Sequence, residues 1–321
     1  MKVYSHEVFS GKRIKSMKHA VSISIGSSKR DKTVEINLLG EKVRLERIGT
    51  DGDMKKAAQL YKEMDGKVDA FGVGGAALGM LVADHWYPFY SVLPLVKDVH
   101  KTPVVDGTGL KSTLEATVGE VLKKQLGDKI KSKKALVTTA VDRWGLAKAF
   151  LDDDYQVVFG DFFFSLGLPI PIRKEATIKL LARLLIPLMS RLPFKWLYPV
   201  GESQEKRTPK MVNYFQWAEV IAGDCHYITK YMPDKLPGKI IVTNTTTQED
   251  VNLFRNAGIR ILVTTTPVYD GRSFGTNMME AAIIAAGGRK QPIDYANPGN
   301  YYSELSEIIK KINLTPQIQA L

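Results

Sequence analysis

The chain has 321 residues, of which 44% are hydrophobic and 25% charged, so it is long enough to form more than one hydrophobic core. Its net charge of +11 favours anionic ligands, whether phosphates, nucleic acid or an acidic membrane surface. The single cysteine, Cys225, excludes an internal disulfide framework and a multi-cysteine metal site. We therefore predict a folded cytoplasmic protein.

The first predicted domain spans residues 17–131 and follows an N-terminal extension at 1–16 that lacks a continuous apolar core. The segment "TVEINLLGEKVRLERIG" predicts two strands joined by a Gly-Glu turn, and "MKKAAQLYKEM" has the apolar spacing of a helix. Strand "TPVVDG" and helix "LKSTLEATVGEVLKKQL" follow. Because strands and helices alternate, we predict an α/β domain with a substrate-binding role.

The second predicted domain spans residues 132–292 and begins after a lysine-rich stretch at 129–134. Its strands are "ALVTTA", "YQVVFGD", "VIAGD", "KIIVTN" and "RILVTTTP". A proline- and leucine-rich helical insertion occupies about 169–215, and a C-terminal helix and tail occupy 293–321. The whole chain therefore predicts two Rossmann-like α/β domains with mainly parallel sheets and a helical insertion in the second.

One stretch of the second domain, from Lys134 to Asp161, has the layout of a dinucleotide site: strand, turn with one glycine, helix, and a strand ending on an acid. Asp161 lies 21 residues after Ala140, close to the spacing at which an acid binds the ribose diol. This role favours NAD over NADP. The alternative is that Asp161 only caps the exit of its strand.

The remaining cofactor contacts are predicted from the turns that follow the strands. Asp142, Arg143 and Gly145 belong to the turn that would approach the pyrophosphate. Asn244, Thr265 and Thr266 would line a nicotinamide or substrate cleft, although such residues are also ordinary helix caps and turn formers.

A second glycine loop lies in the first domain, in "VDAFGVGGAALG". Gly72, Gly74 and Ala77 satisfy the G-x-G-x-x-G/A pattern between a strand and a predicted helix. We predict that Gly74 and Gly75 contact the substrate. A close crossing between a strand and a helix would require the same glycines.

Further candidates for the reaction are polar residues at strand ends. Lys111 and Asp106 could hold a hydroxyl and relay its proton, and His226 is a second candidate proton shuttle oriented by Asp224. Structural roles for these side chains remain open. The other residues predicted to bind substrate are Ser27, Ser28, Lys29 and Thr108, which are equally compatible with turn and cap formation. The five histidines show no metal-binding spacing, so we predict no catalytic metal.

The segment 176–198 combines leucines with Lys179 and Arg183 at helical spacing, as in a helix at an anionic bilayer surface. Pro187 limits its regular length. Packing as a lid or in a homodimer would use the same pattern and is the favoured prediction. No motif for specific nucleic-acid recognition accompanies the basic residues.

Several pieces, including "VSISIGSSKRD", "VDAFGVGG", "TPVVDGTGLK", "AGDCHY" and "GRSFGTN", together resemble bacterial proteins labelled quinate 5-dehydrogenase. The resemblance runs from about residue 18 to 288. It implies oxidation of an alicyclic hydroxyl with transfer of hydride to NAD(P). The two-domain organisation also resembles the shikimate/quinate dehydrogenase family. That family's N-V-T-x-P-x-K motif is absent here, so no catalytic residue is carried over from it.

Together these features predict an NAD(P)-dependent oxidoreductase that acts on a small hydroxylated acid or a related carbonyl compound. Two alternatives stay open. One is a peripheral membrane transferase that uses a nucleotide-activated donor, and the other is a non-catalytic nucleotide-binding protein.

Overall fold

The structure of the protein is a computed structural model, which describes residues 17–82, 85–197, 207–269 and 272–321. The predicted extension at 1–16 and part of the predicted insertion therefore lie outside the described residues. The strands are β1 (Lys18–Ser24), β2 (Lys32–Leu38), β3 (Glu41–Gly49), β4 (Ala70–Gly74), β5 (Gly79–Val82), β6 (His85–Pro88), β7 (Val104–Val105), β8 (Lys134–Val137), β9 (Gln156–Phe159), β10 (Val220–Gly223), β11 (Ile240–Thr243), β12 (Ile261–Thr264), β13 (Val268–Tyr269), β14 (Arg272–Ser273) and β15 (Gln317–Ala320). The α-helices are α1 (Met54–Met64), α2 (Thr108–Ser112), α3 (Val118–Leu126), α4 (Trp144–Asp152), α5 (Asp161–Phe164), α6 (Glu175–Met189), α7 (Phe194–Leu197), α8 (Val212–Trp217), α9 (Cys225–Tyr231), α10 (Gln248–Ala257), α11 (Thr276–Gly287) and α12 (Gly299–Lys311).

The first sheet has the strand order β2-β3-β1-β4-β7, and all neighbours are parallel except β2 and β3. β2 and β3 form the predicted hairpin, whose turn residues Leu39 and Gly40 both have positive φ. That conformation matches the twist of the two strands. The central strands β1 and β4 are buried almost throughout, because helices cover both faces of the sheet.

The second sheet has the strand order β15-β12-β11-β10-β8-β9. Five strands are parallel, and only the edge strand β15 is antiparallel, to β12. All residues of β10, β11 and β12 are buried, as expected for strands covered by helices on both faces. The predicted fold class, α/β with mainly parallel sheets, is confirmed.

The boundary between the two domains differs from the predicted one near residue 131. Val118, Leu122 and Leu126 of α3 recur every four residues and are buried in the core of the second sheet. The lysine-rich stretch at 129–134 is mostly exposed and precedes β8, so it is a surface segment of the second domain. The predicted boundary is therefore wrong, and the chain crosses to the second domain between α2 and α3.

The chain also returns to the first domain earlier than predicted. Helix α11, assigned from sequence to the second domain at 132–292, packs against β1, β3 and β4 of the first sheet. Asn277 Nδ2 at its start donates a hydrogen bond of 2.7 Å to Ser22 Oγ of β1. Helix α11 is apolar around almost its whole circumference, which is typical of a helix that is enclosed by protein on every face. α12 packs beside it, and β15 then rejoins the second sheet.

Two local predictions in the first domain are wrong. The predicted helix over 110–126 is two helices, α2 and α3, separated by a 3-10 turn at Glu115–Thr117. The glycine loop after β4 is followed by the hairpin β5–β6 rather than by a helix, so it offers no helix N-terminus to a phosphate. A Cβ on Gly72 would lie 2.9 Å from the Asn277 carbonyl oxygen, so Gly72 permits the close approach of α11.

The core of the first domain contains one fully buried acid, Glu280 of α11. Glu280 Oε2 accepts a hydrogen bond of 3.0 Å from the Leu110 backbone N–H, and Oε1 pairs with the Tyr301 hydroxyl. Burial raises the pKa of Glu280 to about 8, an effect that nearby Asp106 reinforces and Lys111 opposes. The side chain is therefore mostly protonated at neutral pH.

A pH dependence of stability follows from this raised pKa. Between the ordinary value of 4.5 and about 8, the folded protein holds a proton that the unfolded chain releases. The free energy of unfolding contributed by Glu280 therefore falls as pH rises through this window, by about 5 kcal/mol in total. In Glu280→Gln, the free energy of unfolding measured by urea denaturation is expected to fall less between about pH 5 and about pH 8 than in the original protein. Glu304→Gln, at a half-exposed site on α12, is the control, and equal pH slopes in both variants would contradict the assignment.

The predicted helical insertion lies between β9 and β10 and reaches the first domain. Ile178, Ala182 and Ile186 of α6 are buried, and this face packs against the β5–β6 hairpin. Pro187, predicted to limit the regular length of this segment, lies within the helix, which ends two residues later at Met189. Among the described residues, none of the helices is both long and apolar enough to cross a bilayer.

Candidate functional site

The candidate site lies where the two domains meet, at the carboxyl ends of strands from both sheets. α2 follows β7 of the first sheet, and the turn at residues 138–143 follows β8 of the second. In the second sheet β8 lies between β9 and β10. The chain continues from β8 to β9 on one side and then passes to β10 on the other side, so the strand order reverses at β8. Such a switch point is where doubly wound sheets usually bind ligands.

Lys111 and Asp142 form an ion pair that joins the domains. Lys111 Nζ lies 2.7 Å from Asp142 Oδ1 and 2.9 Å from Asp142 Oδ2. The lysine side chain is 13% exposed and the aspartate 34% exposed, so a small solute can reach the pair. A partly buried ammonium beside a carboxylate can hold and transfer a proton at a bound hydroxyl or carbonyl group.

A second ionic group lies beneath this pair, with Arg143 and Glu115 closed to solvent and Asp224 28% exposed. Arg143, 2% exposed, pairs through Nη1 with Glu115 and through Nη2 with Asp224 at 2.9 Å. Burial favours the neutral form of Asp224, but the adjacent Arg143 holds the pKa of this carboxyl below its ordinary value. Burial raises the pKa of Glu115, and Arg143 opposes that rise. Arg143 and Asp224 of the second domain and Glu115 of the turn that connects the domains therefore form a charged group at the switch point.

Buried polar atoms without a hydrogen-bond partner cluster at this junction. In the described part of the chain they include Glu115 Oε2, Arg143 Nε and the hydroxyls of Thr138, Thr139 and Thr265. The threonines follow β8 and β12, at the carboxyl edge of the second sheet. Because nearly all buried polar groups in folded proteins are paired, this cluster indicates that water or a polar ligand supplies partners here.

The predicted ribose contact of Asp161 does not fit the structure. Asp161 Oδ2 accepts a hydrogen bond of 3.1 Å from the Ala140 N–H, and Oδ1 accepts one of 2.9 Å from the Val141 N–H. Burial raises the pKa of Asp161 to about 6, although the two N–H groups counteract it. The carboxylate therefore supports the turn after β8, and we correct its role from cofactor binding to turn support.

Asp161→Ala tests this structural role. The substitution leaves two backbone N–H groups without their acceptor, and Ala140 is fully buried. We expect the free energy of unfolding to fall by about 1 to 3 kcal/mol in urea denaturation. Asp128→Ala in the exposed turn after α3 provides the comparison, and an equal loss in both variants would contradict the role.

The predicted pyrophosphate turn also has structural functions. Arg143 is enclosed by its two acidic partners, and Asp142 binds Lys111 rather than approaching a phosphate. A Cβ on Gly145 would lie 2.3 Å from the Lys111 carbonyl oxygen, so this glycine allows α2 and α4 to pack closely. We therefore correct the assignment of Asp142, Arg143 and Gly145 to pyrophosphate binding.

The residues predicted around the nicotinamide make mostly internal contacts. Asn244 Nδ2 donates a hydrogen bond of 3.2 Å to Asp224 Oδ2, and Thr266 Oγ1 donates one of 2.6 Å to the Asn244 carbonyl. The first contact joins the carboxyl ends of β11 and β10, and the second joins those of β12 and β11. Thr265 is fully buried, and its hydroxyl is one of the unpaired atoms described above.

The two other predicted catalytic residues are not brought to Lys111 by hydrogen bonds. Asp106 accepts hydrogen bonds from the Thr108 N–H at 2.9 Å and the Leu78 N–H at 2.7 Å, so it anchors two backbone segments. The predicted Lys111–Asp106 pair is therefore replaced by Lys111–Asp142. His226 is exposed at the start of α9, and its backbone N–H donates to Asp224 Oδ1. Asp224 thus caps the helix instead of orienting the imidazole ring.

The remaining predicted substrate residues form turns of the first domain. Ser27 Oγ accepts a hydrogen bond from the Lys29 N–H, and the Ser28 N–H donates to Asp51. Gly75 is exposed with a positive φ, whereas a Cβ on Gly74 would lie 2.7 Å from Ser24 Cβ. Thr108, at the first position of α2, is buried. These residues lie at the carboxyl edge of the first sheet, and their role in substrate binding stays a prediction.

Sequence reasoning missed Glu115, which no motif marks because it lies in a segment predicted as continuous helix. Its signal would have been an acid on the otherwise apolar side of that helix. No group of three or more metal-binding side chains occurs among residues 17–82, 85–197, 207–269 and 272–321.

Two family profiles together match almost the whole described chain. "Domain of unknown function (DUF8753)" matches residues 19–106, and "Domain of unknown function (DUF8754)" matches residues 109–321. Their junction falls at the start of α2, shortly before the chain crosses to the second domain between α2 and α3. No curated protein matches the chain significantly.

Several solved structures are similar to the chain at low identity. An NAD-dependent malic enzyme from Thermotoga maritima has 14% identity and a TM-score of 0.39, with 91% of this chain and 76% of that chain covered. A malic enzyme from Entamoeba histolytica has 11% identity and a TM-score of 0.40, with 90% and 61% covered. A galactofuranose binding protein has 14% identity and a TM-score of 0.35, with 91% and 99% covered. Likeness at this level carries no argument about ligand or activity.

Proposed function

We propose an oxidoreductase function for this chain, which belongs to the DUF8754 family. The substrate would be a small hydroxylated acid or the corresponding carbonyl compound, quinate-like in chemistry, and NAD or NADP would carry the hydride. Lys111 and Asp142 would hold the proton of the reacting hydroxyl.

The single observation that carries this proposal is the ion pair between Lys111 and Asp142. It combines partial burial, two short contacts and a position at the carboxyl ends of strands from both domains. Some ion pairs in proteins have only a structural role. At this junction, the ion pairs of Arg143 with Glu115 and Asp224 already have that role. The Lys111–Asp142 pair is the one that a bound substrate can reach.

The expected substrate is anionic and carries hydroxyl groups. The chain has a net charge of +11, which attracts a carboxylate. The hydroxyls of Thr138, Thr139 and Thr265 are buried beneath this site, so they would contact bound water rather than the substrate itself. The resemblance to proteins labelled quinate 5-dehydrogenase supports the same substrate class.

The nicotinamide cofactor is supported by that resemblance and by the Rossmann-like fold class. Bound NAD or NADP would accept or supply the hydride. The residues predicted to hold its ribose and pyrophosphate do not fit, since Asp161 supports the turn and Arg143 is enclosed. We therefore assign only the proton transfer to named residues.

The Lys111–Asp142 ion pair is also compatible with a second candidate, a binding protein without turnover. A partly exposed ion pair can bind a hydroxylated acid without performing chemistry on it. Binding of a hydroxylated acid with no product would favour this candidate.

The test is a direct measurement of binding and turnover. NADH, NADPH and UDP-sugars are titrated into the protein by calorimetry, and quinate, shikimate and malate are then assayed with NAD and NADP by the absorbance of the reduced cofactor. We expect saturable binding of a nicotinamide dinucleotide and turnover of at least one hydroxy acid. Binding of UDP-sugars without any nicotinamide binding would contradict the proposal and favour a transferase.

A further inference from the structure

The second apolar face of helix α6 is exposed. Leu180, Leu184 and Leu188 are 57%, 61% and 68% exposed and recur every four residues, so they form one stripe along the helix. Ile178, Ala182 and Ile186 form the opposite face, which is buried against the β5–β6 hairpin. The helix is therefore anchored by one side and presents leucines on the other.

Further large apolar side chains in the same insertion are exposed. Trp196 of α7 is 75% exposed, and Leu166, Leu168 and Ile170 in the segment before α6 are also exposed. Elsewhere in the described residues, only Met17 and Tyr90 are comparably exposed large apolar residues. Single exposed leucines are ordinary, but such a concentration in one insertion marks an interaction surface.

Basic residues accompany this apolar surface. Residues 166–197 contain six Lys or Arg and one acid, Glu175, which gives a net charge of +5. Arg183 lies one position before Leu184, and Arg191 and Lys195 follow the helix and are exposed. Exposed leucines, a tryptophan and cations, here divided between the neighbouring helices α6 and α7, are typical of segments that lie in the headgroup region of a bilayer.

We propose that this insertion binds the surface of an anionic lipid bilayer. Leu180, Leu184, Leu188 and Trp196 would enter the boundary between headgroups and acyl chains, while Arg183 and Lys195 contact lipid phosphates. A second copy of the chain fits this surface less well, because a symmetric dimer would place two faces of net charge +5 against each other. Anionic lipid supplies the complementary charge. This inference does not depend on the proposed oxidoreductase function.

The test is cosedimentation of the full chain with vesicles of phosphatidylcholine alone or mixed in equal parts with phosphatidylglycerol. We expect binding to the anionic vesicles and little binding to the neutral ones. Leu184→Glu with Leu188→Glu is expected to weaken binding about tenfold or more, because two side chains can no longer be buried in lipid. Arg183→Gln with Lys195→Gln is expected to weaken binding about tenfold at low salt.

The control is Gln125→Glu with Gln248→Glu, which makes the same change of net charge at exposed positions on α3 and α10. It is expected to bind within about threefold of the original protein, and circular dichroism confirms that all variants are folded. No binding to anionic vesicles, or an equal loss in the control and the leucine variant, would overturn the proposal. It would also be overturned by a dimer in sedimentation velocity that the leucine variant dissociates, without vesicle binding.

Discussion

Arg143→Met is expected to lower the free energy of unfolding by about 3 to 5 kcal/mol, because it leaves the carboxylates of Glu115 and Asp224 without their buried counter-charge. Arg143 is 2% exposed and Glu115 1% exposed, so water cannot replace the interaction that Glu115 loses, whereas Asp224, 28% exposed, keeps some contact with solvent. The methionine side chain fills much of the space but supplies no positive charge. Urea denaturation at neutral pH measures the change.

The matched control for this substitution is Arg255→Met on α10, where the arginine is exposed. Surface substitutions of this type are expected to change stability by about 0.5 kcal/mol. A double variant that also carries Glu115→Gln is expected to recover part of the loss, since one uncompensated charge is removed. If Arg143→Met costs no more than the control, the buried ionic group does not hold the domains together.

Lys111→Met is expected to lower turnover by about a hundredfold to ten-thousandfold, the range attributed to a positioned acid or base. Methionine keeps most of the aliphatic length of lysine but cannot transfer a proton or pair with Asp142. If Lys111 moves the proton of the reacting hydroxyl, kcat falls and KM changes less. Steady-state kinetics with the substrate identified in the binding and turnover assay provide this measurement.

The control for Lys111 is Lys148→Met on α4, which removes a lysine from an exposed ion pair with Asp152. This variant is expected to retain turnover within about twofold, because exposed pairs contribute little. Turnover of Lys111→Met within a few-fold of the original protein, in a variant that remains folded, would remove the lysine from the mechanism.

The strands of both sheets could be predicted from sequence because each is a short apolar run that ends in turn-forming residues. The segments "ALVTTA", "KIIVTN" and "RILVTTTP" contain β8, β11 and β12. Helix α10 begins after Thr247, whose side chain caps it, and ends before Gly258. These signals are local, since burial on both faces and capping depend on residues close in the chain.

The membership of elements in domains could not be predicted in the same way. Helix α11 is apolar on nearly every side, so its sequence does not indicate which sheet it covers. The lysine-rich stretch at 129–134 resembles a linker in composition, yet it only marks an exposed edge before β8. The composition of a segment indicates whether it is exposed. The boundary between the domains depends instead on which of the two cores buries α3.

The site was predicted in its parts but not in its pairing. Lys111 and Asp142 were both candidates, but 31 residues separate them, and Asp106 is closer to Lys111 in the chain. The acid at the end of β9 had the spacing of a ribose ligand, but its carboxylate turns toward the backbone of residues 140 and 141. Spacing places a side chain at the end of a strand, and only tertiary packing decides which partner it meets.

The most direct test of the central claim is a crystal structure of the protein with a bound hydroxy acid substrate, and the decisive quantity is the distance from Lys111 Nζ to the reacting hydroxyl oxygen. The proposed role predicts a separation of about 3 Å, with Asp142 still in contact with the lysine. A substrate that lies elsewhere, with Lys111 and Asp142 enclosed by protein and out of reach of every hydroxyl, would contradict it.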